Sequence, residues 1–462
     1  MLAPMGIFRA YDVRGIYPGE LGPELALRIG MAYGSIAASR GIREIYVGRD
    51  ARVSGPALLA AFSSGAMASG LSVIDVGLVH TPLIYWLTAK DSREGAMITA
   101  SHNPPEYNGI KISYAGRAYH YGNLYGAIES SLASASPLPW DRAGSMRSED
   151  RLGEYVEDVL GRIAAPERRL RVVSDSSNGS CWFAGNVLSR AGFDAVAINS
   201  EPDGRFPRHV PDPLREEAYV DVSEAVRREG ADLGIVFDGD CDRVGFVDER
   251  GIPIGGDAAA MVLAADVLSH RPGSKVVLNV MMSKAVSDYV RSLGGVPVMV
   301  RVGHSFVQDA LESEGAAFAA EISGHFYLAD SYYGFDDAVY AALRFGVAVS
   351  RSGRSLSEIV SSLPRYQSSP ESRIGCPDDI KFLVVDYLRR KYEREGLSVL
   401  AIDGVRVDTE DGWWIVRASN TEPALVMRAE ARDRRALDAL VSRMRSDVEE
   451  ALAAVGRGTA GR

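Results

Sequence analysis

Short apolar runs recur along the chain, each leading into a stretch whose apolar positions fall three and four residues apart. IYVG (45–48), VVS (172–174) and VVLNV (276–280) read as buried strands. Helix candidates follow, carrying Leu58, Leu59 and Phe62, then Phe183, Val187 and Leu188, then Val286, Tyr289, Val290 and Leu293. The last set has the spacing of one buried helical face. Gly70, Gly192 and Gly295 stand where these helices should stop. A second strand comes at once in each case (SVIDVG, AVAIN, VPVMV). A third apolar segment comes later: AMITA at 96–100, LGIVF at 233–237 and AAFAA at 316–320. This alternation predicts an α/β fold with mixed, mostly parallel sheets, and its threefold recurrence predicts three related domains, at 1–150, 151–252 and 253–366.

From 367 to 462 the pattern changes. VRVDTEDGWWIVR (405–417) reads as a hairpin turning at Asp411-Gly412, and ALVMRAEA as a further strand. A final helix is expected after Asp433 as N-cap, with Leu437, Leu440, Val441, Met444, Val448 and Leu452 on one face. These features predict a smaller C-terminal α+β domain, with SSLPRYQSSPESRIGCP (361–377) as the hinge into it and the GRGTAGR tail frayed.

The third segments continue into three unlike polar runs, SHNPPEYNG, DGDCDR and EISGH. Ligands of open α/β sheets sit beyond the carboxyl ends of the strands, so three such domains around a central cleft bring three chemistries to one place. In DGDCDR, Asp238, Asp240 and Asp242 repel one another unless a cation neutralises them, and a hard divalent metal is the natural partner. Glu249 completes a superficial calcium-loop match. That reading fails because Arg243 stands where the loop needs glycine and strands flank it. In TASHNPPEYNGIK two prolines stiffen a turn that presents Ser101. His102 need not face Ser101, because adjacent residues of an extended chain point oppositely. Glu321, Ser323 and His325 alternate, so all three face one side if extended. RASNTEP combines Arg417, Ser419, Asn420 and Thr421, with Arg428 on the next strand, a collection suited to a phosphate.

Charge sharpens the picture. The 462 residues carry 51 Lys plus Arg against 61 Asp plus Glu, a net charge of −10 that excludes nucleic acid and acidic membrane surfaces as partners. An anionic ligand therefore demands local positive charge, for which Arg14, Arg49, Lys111, Arg243, Arg417 and Arg428 are the candidates. No apolar run approaches a membrane span, and the opening residues lack the pattern of a signal peptide. Cys181, Cys241 and Cys376 are three widely spaced residues and read as reduced thiols, which with the missing leader gives the expectation of a cytoplasmic protein.

Taken together, FRAYDVRG, VGRDARVSG, TASHNPPEYNGIKI, DGDCDR, EISGH and RASNTEP resemble, in sequence order, the signatures of the α-D-phosphohexomutase superfamily, most closely its phosphomannomutase/phosphoglucomutase branch. The resemblance implies that Ser101 is a phosphoserine and that Mg²⁺ is held by its phosphate with Asp238, Asp240 and Asp242. It implies that Arg14, Lys111 and His325 stand at the reaction centre, that Glu321 and Ser323 read the sugar, and that Arg417, Ser419, Asn420 and Thr421 grip the distal phosphate. Arg243, His304 and Arg428 join the substrate-binding positions. The implied reaction interconverts hexose 1- and 6-phosphates through a hexose 1,6-bisphosphate, which is both intermediate and activator. EISGH resembles the EMSGH of mannose/glucose mutases more than the EQSGH of phosphoglucosamine mutases. A phosphoglucosamine mutase, or a Mg²⁺-dependent sugar phosphatase, is the alternative. The partners are small sugar phosphates, and the chain is expected to be a monomer or homo-oligomer.

Overall fold

The computed structural model describes residues 6–419 and 423–459, and places their strands in four sheets. In each of the first three sheets a central strand has a parallel neighbour on either side. Glu44–Arg49 lies between Ser72–Leu78 and Glu94–Ile98. Arg171–Asp175 lies between Asp194–Ile198 and Leu233–Phe237. Lys275–Asn279 lies between Val296–Val300 and Phe318–Ala320. The third strand then turns back into an antiparallel partner, Tyr107–Tyr114, Val244–Asp248 or Phe326–Leu328. The polar run after each third strand is therefore a hairpin connection at the carboxyl edge of its sheet. Leu233–Phe237 is buried at every position, because both faces of the sheet are covered, and this is why it reads as an unbroken apolar run.

Helices cover the sheets. Pro23–Ser39 and Gly55–Ala68 approach so closely that a Cβ on Gly30 would stand 2.1 Å from Phe62 O, and one on Gly65 2.0 Å from Leu27 O. Side chains at either position would force the two helices apart. No helix among the described residues is long and apolar enough to cross a membrane.

The fourth sheet is antiparallel throughout its described pairings, with Ala424–Ala431 and Gly412–Ala418 at its centre and the helices Lys381–Arg394 and Arg434–Thr459 packed on it. Asp433 Oδ1 accepts from Ala436 N at 2.9 Å, the expected N-cap. Several local expectations change. The 361–377 segment is not a free hinge: Gln367–Ser368 and Ser372–Gly375 pair with Ala424–Ala431, leaving a short connection after the helix Leu356–Ser362. The hairpin turns one residue earlier than expected, at Glu410-Asp411, because Thr409 N donates to Gly412 O at 2.8 Å and Gly412 already pairs with Ala431. In the third repeat the left-handed stop is Gly294 (φ 79°), one residue before Gly295. The last helix runs to Thr459 and takes in most of the tail expected to fray, whose final residues lie outside the described ones.

The fourth unit grips the third. Arg406 Nη1 donates to Val280 O (2.7 Å) and Met282 O (2.9 Å), while Arg428 Nη1 donates to Met281 O (2.9 Å). Trp413 lies beneath both guanidinium groups, 3.9 Å from that of Arg406.

The reading of three reduced thiols is corrected. Cys181 and Cys241 form a disulfide with Cα atoms 5.6 Å apart, and only Cys376 is free. Sixty residues separate the pair, but the strands before them, Arg171–Asp175 and Leu233–Phe237, are direct neighbours and carry both cysteines to one sheet edge. Cross-linking a loop of that length removes chain entropy worth about 4 kcal/mol from the unfolded state. The double variant Cys181→Ala/Cys241→Ala is expected to melt below the parent in calorimetry, and an equal melting temperature would deny the bond that role.

Candidate active site

Ser101 lies just beyond Glu94–Ile98, in a left-handed conformation (φ 50°) that serine seldom adopts outside constrained sites. It is buried, and its Oγ donates to Asp238 Oδ2 at 2.7 Å. His102, which in an extended chain need not face Ser101, reaches its Oγ with Nδ1 at 3.3 Å because the chain here is a turn and not a strand. Burial, with Arg243 and Arg14 nearby, pushes the His102 imidazole well below its ordinary pKa and keeps it neutral.

The three aspartates of the second unit are fully buried between Leu233–Phe237 and Val244–Asp248. Asp238 Oδ1 caps the turn, accepting from Asp242 N (3.1 Å) and Arg243 N (3.2 Å). Lys111, from Tyr107–Tyr114 of the first unit, bridges Asp240 Oδ2 (2.8 Å) and Asp242 Oδ2 (2.7 Å), and Thr81 Oγ1 donates to Asp240 Oδ2 at 2.6 Å. Burial, then Asp242 and Asp240, drive Asp238 well above the carboxylate range. For Asp240 burial and Asp242 act upward, but Lys111 and Thr81 outweigh them and hold it low. Asp242 is held low against burial by Lys111, His325 and Arg243. Burial opposes the Lys111 charge, yet Asp240 and Asp242 raise it well above an ordinary lysine.

This cluster suits a hard divalent cation. Ligand oxygens of Asp238, Asp240 and Asp242 lie within 4.8 Å of one another, and the buried Asp240 Oδ1 and Asp242 Oδ1 have no hydrogen-bond partner among the described residues. Buried carboxylate oxygens without donors are costly, and a metal ion would relieve that cost.

Positive groups converge around it. Arg14 donates to Asn103 Oδ1 (2.6 Å) and pairs with Asp12 (2.5 Å). Arg243 Nε donates to His325 Nε2 at 2.9 Å, so that nitrogen carries the lone pair of the neutral ring and Nδ1 the proton. Asp336 Oδ2 stands 2.7 Å from Nδ1. Burial acts to lower the His325 pKa, but Asp242 and Asp336 turn the net shift upward, while Asp336 itself is raised to about 6 by burial.

The sugar-loop expectation needs correction in form. Glu321 to His325 is a tight turn, with Glu321 N donating to His325 O (3.0 Å) and Gly324 at φ 93°, so simple alternation does not apply. Glu321 is buried and locked by Asn279 Nδ2 (3.0 Å), Gly303 N (3.3 Å) and Tyr327 OH (3.0 Å). Ser323 faces an open cavity of about 410 Å³ shared with Asp257 and Arg428. His304 begins the helix His304–Ser313, buried against Tyr11 with ring centroids 4.8 Å apart. Its pKa is pushed well down by burial and then Lys111.

In the fourth unit Arg417 Nη2 pairs with Asp403 (3.3 Å), which also accepts from Val302 N (3.4 Å), so the arginine stands beside the His304 turn. Lys381 Nζ donates to Ser419 O at 2.6 Å. Asn420 and Thr421 lie outside the described residues. Arg428 lines the same cavity as Ser323 while Met281 O, Ser368 and Glu430 hold its guanidinium at the contact between units, and Arg49 donates to Asp50 O on its own turn.

Sequence reasoning missed Thr81, Tyr11, Asp336 and Arg52. Tyr11 and Arg52 stood inside motifs already singled out, FRAYDVRG and VGRDARVSG. Thr81 and Asp336 belong to segments with no sequence signal of their own.

With fold and site in view, comparison with known proteins is direct. Four domain families match in order: phosphoglucomutase/phosphomannomutase alpha/beta/alpha domain I over residues 5–130, domain II over 153–251, domain III over 255–366 and the C-terminal domain over 374–446. The chain belongs to the phosphoglucomutase/phosphomannomutase family, within the α-D-phosphohexomutase superfamily. It is 38% identical over 434 residues to a phosphomannomutase/phosphoglucomutase of Pseudomonas aeruginosa, covering 93% of this chain and 92% of that one. It is 37% identical over 451 residues to a phosphoglucomutase of Neisseria gonorrhoeae, covering 96% of each. A solved structure of a phosphoglucomutase/phosphomannomutase family protein from Burkholderia thailandensis superposes with a TM-score of 0.89 at 35% identity, covering 98% of both chains.

Proposed function

We propose that this enzyme is a phosphohexomutase, an isomerase that interconverts the 1- and 6-phosphates of mannose and of glucose through phosphoserine at Ser101 and a hexose 1,6-bisphosphate. The observation that carries the reading is the 2.7 Å bond from Ser101 Oγ to Asp238, which sets a nucleophilic oxygen against the acid cluster and its lysine. Mg²⁺ is the ion we assign to Asp238, Asp240, Asp242 and the phosphoryl oxygens on Ser101. When bound it supplies charge neutralisation for the transferring phosphoryl group.

The chain's own residues supply the rest. Phosphoryl transfer needs alignment and charge balance more than covalent help. Ser101 is presented by a rigid turn, and Arg14 fixes that turn through Asn103. Lys111 and Arg243 add positive charge beside the reacting oxygens, and Arg243 holds His325 in one tautomer. The serine gives its phosphoryl group to the free hydroxyl of the hexose phosphate, and the bisphosphate turns over and returns its other phosphate to Ser101. Glu321, Ser323 and His304 then meet the sugar in both orientations. Arg417, Ser419, Asn420 and Thr421 grip the phosphate that is not reacting. That second phosphate site favours a mutase over a phosphatase, which has no use for it. We keep the division at 150, 252 and 366 as our domain assignment: the cuts at 150 and 366 fall between successive sheets, while the cut at 252 leaves the edge strand Pro253–Ile254 of the second sheet on the far side. A cytoplasmic location fits the small sugar phosphates we assign as substrates, and the Cys181–Cys241 bond lends it no support.

A coupled assay tests the proposal with mannose 1-phosphate, glucose 1-phosphate and glucosamine 1-phosphate, each with and without hexose 1,6-bisphosphate. Comparable rates for the first two, dependent on bisphosphate, are expected. Preference for the glucosamine ester would move the substrate to the alternative, and release of inorganic phosphate without isomerisation would sink the mutase reading.

A further inference from the structure

Arg52 lies in the turn between Glu44–Arg49 and Gly55–Ala68, wholly buried, and its guanidinium uses all five of its N–H donors. Nε donates to Asp50 Oδ2 at 3.1 Å. Nη1 donates to Pro104 O (2.6 Å) and Tyr107 O (2.9 Å). Nη2 donates to Ser101 O (2.7 Å) and Asn103 O (2.6 Å). Four main-chain carbonyls of the serine turn are thus gathered on one side chain. Asp50 completes the frame: its Oδ2 accepts from Thr99 Oγ1 (2.7 Å), which in turn accepts from Ser101 N (2.8 Å). Ser101 is held at both its N–H and its C=O.

The second unit closes the other side. The Phe206 ring lies 5.1 Å from the Arg52 guanidinium carbon, and a Cβ on Gly204 would stand 2.3 Å from Ala51 O and 2.5 Å from Arg52 Cα. PDGRFP of the second unit therefore seats directly on the arginine.

We propose that Arg52, with Asp50, is a positioning residue for phosphoryl transfer: it holds Ser101 in its left-handed conformation and turns the carbonyls of the loop away from the incoming phosphate. In a trans peptide the carbonyl and the following N–H point oppositely, so anchoring Ser101 O turns the His102 N–H away from Arg52. An anionic phosphoryl group on Ser101 would be repelled by carbonyl dipoles, and Arg52 removes four of them from its surroundings. Lysine cannot replace it, having three donors from one nitrogen and no planar fork. The inference rests on Ser101 being the nucleophile.

The test is Arg52→Lys in the full chain. Measured are kcat and KM for glucose 1-phosphate, the melting temperature, and phosphate on the Ser101 peptide by mass spectrometry after incubation with glucose 1,6-bisphosphate. A fall in kcat of roughly 10²-fold, the cost of a misplaced reacting group, is expected with KM changed less than about threefold. Phosphate uptake at Ser101 should slow in proportion. Unchanged kcat in a folded variant overturns the proposal. So does a parallel loss in kcat, KM and melting temperature, which is the mark of a purely structural role. Should Arg52→Lys fail to fold, Asp50→Asn, which removes one acceptor and keeps the shape, decides on the same readouts. A parent enzyme that carries no phosphate at Ser101 overturns the nucleophile assignment and this inference with it. A parent phosphorylated at Ser101 beside a fully active Arg52→Lys overturns this inference alone.

Discussion

Ser101→Ala should abolish turnover and leave the fold in place. The hydroxyl makes two contacts, the bond to Asp238 at 2.7 Å and the approach of His102 Nδ1 at 3.3 Å, and neither belongs to the packing of the sheet. The methyl of alanine fits the same space, and the left-handed backbone is held by Thr99 and Arg52 through main-chain atoms that alanine keeps. What disappears is the oxygen that carries the phosphoryl group between the two ends of the sugar. With no group to take its place, the rate should fall by roughly 10⁴-fold or more, as when a covalent nucleophile is removed. The coupled assay reads this directly. Circular dichroism and melting should match the parent, and incubation with hexose 1,6-bisphosphate should add no phosphate to the variant. Isomerisation at even a few per cent of the parental rate would remove Ser101 from its role.

How much of this was legible in the sequence depends on the range of the signal. Leu233–Phe237 is a strand because every position is buried, and an unbroken apolar run announces that without any distant information. The loop after it follows from sheet topology, which alone places DGDCDR at a cleft. Glu321 to His325 was harder. Its residues were read on an extended frame, but Gly324 at φ 93° turns the chain, and the polar side chains are distributed by that turn. Arg428 was grouped with Arg417 because they occupy adjacent strands. Paired residues in the sheet are Ile415 with Arg428 and Arg417 with Val426, so the two arginines are offset along the strands and serve different neighbours. The Cys181–Cys241 bond is a tertiary fact. It needs the pairing of Arg171–Asp175 with Leu233–Phe237, which no local pattern encodes. Arg52 was in plain view within VGRDARVSG, but its partners are main-chain carbonyls, and backbone acceptors leave no residue-type signal.

The same distinction explains how an acidic chain suits an anionic ligand. The net charge of −10 describes the whole surface, where most ion pairs are exposed and screened. At the site, Asp238, Asp240 and Asp242 are themselves part of the apparatus that binds positive charge, while Arg14, Lys111 and Arg243 lie among them. Burial lowers the effective dielectric there, so a few groups outweigh the total. It also makes the balance fragile.

Lys111→Met shows how fragile. Methionine matches the length of the lysine stem, so the strand Tyr107–Tyr114 should keep its packing. The ammonium that bridges Asp240 and Asp242 at 2.8 and 2.7 Å is lost, in a place where its side chain is 5% exposed. Removing one partner from a buried ion pair costs about 3–5 kcal/mol, because the remaining charges have no solvent to turn to. Chelator-treated variant should therefore melt well below chelator-treated parent. The contribution of Asp240 and Asp242 to the pH dependence should change sign as well. In the parent, Asp240 and Asp242 are held below the ordinary carboxylate range, so their contribution is present above the unfolded pKa of about 4 and is lost as pH falls through the folded value. Without Lys111, burial and mutual repulsion dominate and both pKa values rise. Their contribution is then present below the unfolded value and lost as pH rises, so the metal-free variant should gain stability from pH 7 to pH 5 relative to the parent. Added Mg²⁺ should raise the melting temperature of the variant more than that of the parent, since the cation takes over the missing charge. Activity should remain at least 10²-fold down, by the scale set when a positioned electrostatic group is removed. A variant that melts like the parent at both pH values, with or without Mg²⁺, would show that Lys111 is not the counter-charge of the cluster.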